Sequence, residues 1–122
     1  MRAELKSIII SDIDIDNYWP DEEDNFCFYL QANIGVEGRD GGDIFGFSVC
    51  TPKWILENRS KDQIFFMRDT IIVFEYDIER VKSVIKNLCD RTFGENWLEI
   101  AEKLKRFGYW EFEDYDPYKD KV

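Results

Sequence analysis

Phe26-Cys27-Phe28-Tyr29-Leu30-Gln31-Ala32-Asn33-Ile34 alternates without a break. Phe26, Phe28, Leu30, Ala32 and Ile34 share one face, while Cys27, Tyr29, Gln31 and Asn33 share the other. Successive side chains of a strand point to opposite sides, so a period of two predicts a strand with one face on a core. Downstream, Phe45, Phe47 and Val49 alternate in the same way with Gly46, Ser48 and Cys50. Between the runs lies Gly38-Arg39-Asp40-Gly41-Gly42, and glycine enters positive φ at no steric cost. The two runs are expected to form a β-hairpin.

On the N-terminal side of the hairpin, residues 2–10 read as a first strand ending in Ile8-Ile9-Ile10. On its C-terminal side, Thr51-Pro52 has the form of a helix start, with Thr as N-cap and Pro at the first helical position. This predicts a short helix over 52–59, with Trp54 and Ile55 available for packing. Residues 64–76 are expected to hold a strand, densest at Ile71-Ile72-Val73-Phe74. That continuous apolar run predicts burial on both faces. Asp77 is the expected N-cap of a second helix, whose Ile78, Val81, Val84, Ile85, Leu88 and Cys89 recur at helical spacing. After Gly94, Trp97, Ile100, Ala101 and Leu104 form the stripe of a third helix. Lys103, Lys105 and Arg106 suit the dipole at its end, and Gly108 closes it. Residues 109–113 are expected to add an edge strand.

The order is β-β-β-α-β-α-α, with strands mainly first and helices mainly last. It predicts an α+β domain: a mainly antiparallel sheet of about four to five strands with two to three helices packed on one face. The chain has 122 residues and shows no repeat, linker or low-complexity tract, so one domain over 1–122 is expected. Hydrophobic residues make up 44% of it, enough for a core without metal or disulfide staples.

The formal net charge is −10. Such a chain repels nucleic acid and anionic membrane surfaces, and it attracts a basic protein. The opening Met1-Arg2-Ala3-Glu4-Leu5-Lys6 is not expected to be a signal peptide, and no apolar run approaches the length of a membrane span. Cys27, Cys50 and Cys89 are odd in number, lack a CxxC spacing and each lie in an apolar run. They read as small core hydrophobes in a reducing compartment. The expected location is cytoplasmic.

The chain has no histidine, which excludes Ser-His-Asp and Cys-His nucleophilic sites and most zinc enzymes. It also lacks a Gly-rich phosphate loop. No catalytic residue, cofactor or resident metal is therefore expected. Asp12, Asp14, Asp16, Asn17 and Glu23 follow part of an EF-hand spacing. Pro20 falls where a ligand or water bridge belongs, and the flanks read as strands rather than helices, so a solvated acidic loop is the better account. Trp54 and Trp97 read as packing residues.

Two acidic, aromatic segments read as docking surface, because Trp and Tyr dominate interface hot spots while rim charges steer. The first contributes Asp12, Asp14, Asp16, Tyr18, Trp19, Asp21, Glu22, Glu23 and Asp24. The second contributes Trp110, Glu113, Asp114, Tyr115, Asp116 and Tyr118. For Trp110 and Phe112, covering the core is the competing role.

The chain resembles the Immunity protein 8 family of bacterial polymorphic toxin systems. The likeness is carried by Met1-Arg2-Ala3-Glu4-Leu5-Lys6-Ser7, by Asn25-Phe26-Cys27-Phe28-Tyr29-Leu30-Gln31-Ala32 and by Gly94-Glu95-Asn96-Trp97. Its most specific piece is Cys50-Thr51-Pro52-Lys53-Trp54, inside Phe45–Ile55. Ile55 stands where the family more often has Leu. The resemblance implies an antidote that binds and blocks a cognate toxin domain in the cytoplasm, as in contact-dependent growth inhibition. It implies no catalytic residue and does not identify the toxin. Acidity suits a basic toxin surface, such as that of a nuclease. The alternative is an acidic intracellular protein-interaction module without a toxin partner.

Overall fold

The computed structural model describes residues 1–10, 18–59, 61 and 63–114. The hairpin at its centre joins β2 (Cys27–Val36) to β3 (Asp43–Cys50) in antiparallel register, with Leu30 opposite Phe47 and Ala32 opposite Phe45. Gly38 and Gly41 take φ of 78° and 85° in the connection, the left-handed region that glycine reaches without a Cβ clash. Phe28, Leu30, Ala32, Ile34, Phe45, Phe47 and Val49 are all buried, as the alternation requires.

β1 (Ala3–Ile10) pairs antiparallel with β2, and its register shifts between Leu5 and Ser7. The bulge changes the parity of the strand. Before it, Ala3 and Leu5 meet Val36 and Ile34; after it, Ile8 and Ile10 meet Ala32 and Leu30. Both halves thereby reach the core, while Ile9 is left exposed on the outer face.

The far edge of β3 is shared by two short strands. β4 (Thr70–Ile72) runs parallel to it over Ser48–Cys50, and β5 (Tyr109–Trp110) pairs antiparallel with Phe45 and Gly46. The sheet is thus mixed but mostly antiparallel. The expected long strand over 64–76 shrinks to three residues. It is not covered on both faces: Ile71 and Val73 pack against the core, but Ile72 and Phe74 face solvent.

The first two helices start where Thr51 and Asp77 predict, and the third has a cap of its own. α1 (Pro52–Asn58) is capped by Thr51, whose Oγ1 accepts from the Trp54 N–H. α2 (Ile78–Asp90) is capped by Asp77 accepting from Arg80, and α3 (Trp97–Leu104) by Asn96 accepting from Glu99. α2 and α3 cover the inner face through Val81, Ile85, Leu88, Cys89, Ile100, Ala101 and Leu104. Val84, expected on the same stripe, is exposed instead. α1 buries no residue; its Trp54 and Ile55 are half-buried beside Cys27, Ser48, Cys50 and Phe65 on the outer face.

Cys27 and Cys50 correct the reading of three separate core hydrophobes. They are cross-strand partners with Cα atoms 4.1 Å apart, close enough for their sulfurs to bond. Cys89 is the free cysteine, and burial pushes its thiol up to about 11, so it stays protonated and inert.

After α3 the chain turns onto the sheet at Gly108. A Cβ there would stand 2.6 Å from Cζ of Phe47, a ring locked in the core. Gly108→Ala is expected to destabilise the domain by about 2 kcal/mol, the usual cost of overpacking. A thermal melt of the variant checks this; an unchanged midpoint would show that Phe47 yields freely.

Candidate protein-docking surface

Tyr76 organises the first acidic segment. It is buried, and four rings meet it edge-on: Tyr18 at 5.6 Å between centroids, Trp19 at 5.0 Å, Phe26 at 5.6 Å and Phe28 at 6.3 Å. Its N–H donates to the Glu23 carbonyl at 2.8 Å. Chain 18–26 is thereby drawn across the end of β4 and anchored to the core. Pro20 is buried, while Asp21, Glu22, Glu23 and Asp24 are all exposed. Trp19 presents 60% of its surface although its ring is seated on Tyr76.

The turn is braced by Asn25, whose N–H donates to the Glu22 carbonyl and whose Nδ2 donates to the carboxylates of Glu22 and Glu57, both at 2.8 Å. Glu57 of α1 adds a carboxylate to the patch. Lys53 is 3.7 Å from Asp24 and supplies a weak, solvated pair.

The second segment is placed differently. Trp110 is in the core: its ring stacks on Phe45 at 6.3 Å and its indole N–H donates to Asp43 at 3.0 Å. Glu113 is paired with Arg68 and nearly covered by it. That pairing raises the guanidinium above its ordinary value. Arg68 also donates to the Lys105 carbonyl at 3.0 Å. Asp114 is exposed, with φ of 63°. Asp12, Asp14, Asp16, Tyr115, Asp116 and Tyr118 lie outside the described residues, as do most positions of the calcium spacing.

Folding brings the ends of the two segments to one edge. Glu23 is tied to Tyr76 just after β4, and Glu113 to Arg68 just before it. Between them lies apolar surface that the sequence reading missed. Ile64 and Phe66 are fully exposed, and Phe74 exposes 77% of its surface. A groove of about 450 Å³ runs between β4 and α2, lined by Ile71–Phe74, Val81 and Val84 and rimmed by Glu75, Asp77 and Arg80. The apolar density of Ile71-Ile72-Val73-Phe74 was visible in sequence, but hydrophobicity alone does not tell a covered strand from an edge.

Burial pushes the Asp69 carboxyl up, against the lowering effect of Arg68. It lies near Tyr29 and Tyr109 on the open face of the sheet, where Tyr29 stretches across Gly46. Among the described residues no group of three or more His, Cys, Asp or Glu is placed to hold a metal. No helix among them is long and apolar enough to cross a membrane.

An acidic turn with a raised tryptophan, set beside an apolar edge, has the make-up of a candidate protein-docking surface. Residues 3–115 match the family model of Immunity protein 8, and the chain belongs to that family. No curated protein and no solved structure matches it.

Proposed function

We propose that this protein is the immunity partner of a basic toxin domain, such as a nuclease, and neutralises it in the cytoplasm by stoichiometric occupancy, without catalysis. Family membership supports an immunity role. The observation that carries the docking reading is Trp19, solvent-exposed yet seated on buried Tyr76 beside Asp21, Glu22, Glu23 and Asp24. A large ring held in place loses little entropy on binding, and surrounding charge steers a basic partner to it. Tyr18 contributes by packing on Tyr76, the ring that seats Trp19, and Asp114 extends the acidic surface. Asp12, Asp14, Asp16, Tyr115, Asp116 and Tyr118 are proposed as further partner contacts on their acidic and aromatic sequence alone.

The test is a complex with the toxin domain encoded beside this chain's gene. The wild-type protein is expected to co-purify with it at one to one and to protect cells that express it. Trp19→Ala is expected to weaken the affinity by about 2 kcal/mol, the scale of an interface hot spot. Raising salt is expected to slow association severalfold, since the steering charges are exposed and screened. Failure of the wild-type pair to associate would remove the reading; a salt-independent on-rate would remove the electrostatic part alone.

A further inference from the structure

We propose that the open edge of β4 and the groove beside it receive an extended segment of the partner, which adds to the sheet as a further strand with apolar side chains in the groove and a Lys or Arg at its acidic rim. The proposal rests on the partner being a protein, as in the immunity reading, and it names the surface and the kind of segment that surface accepts.

Backbone geometry comes first. Asp69 accepts from the Ser48 N–H, and Val73 donates to the Cys50 carbonyl. In a parallel ladder alternate residues face the neighbouring strand, so residues 69, 71 and 73 are turned towards β3. The N–H and C=O groups of Thr70 and Ile72 therefore point out of the sheet. A strand laid along that edge would find donors and acceptors already aligned, the arrangement used in strand addition.

The two sheet edges are built differently. β1 is longer, but it is guarded by the bulge at Lys6 and by the Lys6–Glu4 ion pair, and its first residues are covered by the bridge between Arg2 and Phe93. Bulges and inserted charges are the usual means of keeping foreign strands off an edge. β4 has neither device over Thr70–Ile72. Beside it the groove exposes Ile72, Phe74 and Val84, side chains that alternate contacts of an added strand would cover.

Charge identifies the occupant. Glu75 and Asp77 rim the groove, and Asp21–Asp24 adjoin it through the bond from Tyr76 to Glu23, with Arg80 as the one cation among the described residues of the groove lining. A second copy of a chain of net charge −10 would bring like charge to like. A basic partner segment would not.

The experiment uses the full chain and the same neighbouring toxin domain. Hydrogen exchange of the wild-type complex is expected to protect the Thr70 and Ile72 amides about tenfold or more, as for newly bonded edge amides. Ile72→Pro removes an outward N–H without touching the bonds to β3 and is expected to weaken binding about tenfold. Val84→Lys puts a charged side chain in the groove where the partner's apolar side chains belong; a comparable loss is expected. Wild-type binding with no protection at Thr70 and Ile72 overturns the proposal while leaving the immunity reading intact, and this readout needs no variant to fold. Absence of any wild-type complex overturns both. A homodimer that Ile72→Pro dissolves would assign the edge to a second copy and overturn the proposal as well.

Discussion

Tyr76→Ala is expected to destabilise the domain by about 4 kcal/mol, at the upper end for a buried aromatic, because one ring holds four others. Tyr18, Trp19, Phe26 and Phe28 all meet it edge-on, and among the described residues no second ring joins Trp19 to the core. Its loss would leave a cavity under the acidic turn and free Trp19 from its seat. Tyr76→Phe keeps the ring and removes only the hydroxyl. The Tyr76 hydroxyl is buried without a hydrogen-bond partner among the described residues, so removing it is expected to leave stability unchanged or to raise it slightly. Urea denaturation of the two variants separates ring from hydroxyl. A Tyr76→Phe variant that falls as far as Tyr76→Ala would mean that the hydroxyl is bonded and that the ring cluster is not the anchor. If the ring is the anchor, Tyr76→Ala should also weaken toxin binding at temperatures where it remains folded, whereas Tyr76→Phe should bind normally.

What could be read from sequence was local. The hairpin follows from two runs of period two, and the starts of α1 and α2 from Thr51 and Asp77, whose side chains accept the bonds expected of N-caps. Even the bulge leaves a trace, since the apolar positions of β1 pass from Ala3 and Leu5 to Ile8 and Ile10. β4 failed for a physical reason: an apolar run announces a wish for burial but not whether the fold supplies cover. Cover would have had to come from residues beyond the hairpin, and what arrived was β5, which occupies the Phe45–Gly46 half of the shared edge. The candidate docking surface was half legible for the same reason. Acid and aromatic content marked residues 18–24, but only long-range contacts decide that Trp19 stays outside while Trp110 is buried. The signal that could have moved Trp110 inward is its place in a predicted edge strand, where every second residue faces the core.

Asp43→Ala is expected to cost about 3 kcal/mol, more than an ordinary hydrogen bond, because one carboxylate serves two largely buried indoles. Its Oδ2 accepts from the Trp97 Nε1–H at 2.7 Å and from the Trp110 Nε1–H at 3.0 Å. These bonds tie the start of β3 to α3 and to β5, elements distant in sequence, with the Phe45 ring packed against both tryptophans. Alanine would strand both N–H groups, and an unsatisfied buried donor costs more than the bond was worth. Asp43→Asn keeps an acceptor oxygen and is expected to lose about 1 kcal/mol, the share owed to charge. Denaturation followed by tryptophan fluorescence measures both losses. A double-mutant cycle then tests the mechanism: Trp110→Phe should cost less in the Asp43→Ala background than in the wild type, because the N–H it removes has already lost its acceptor. Equal costs in both backgrounds would mean that the two side chains act independently, and the destabilisation by Asp43→Ala would have to come from the strand start itself.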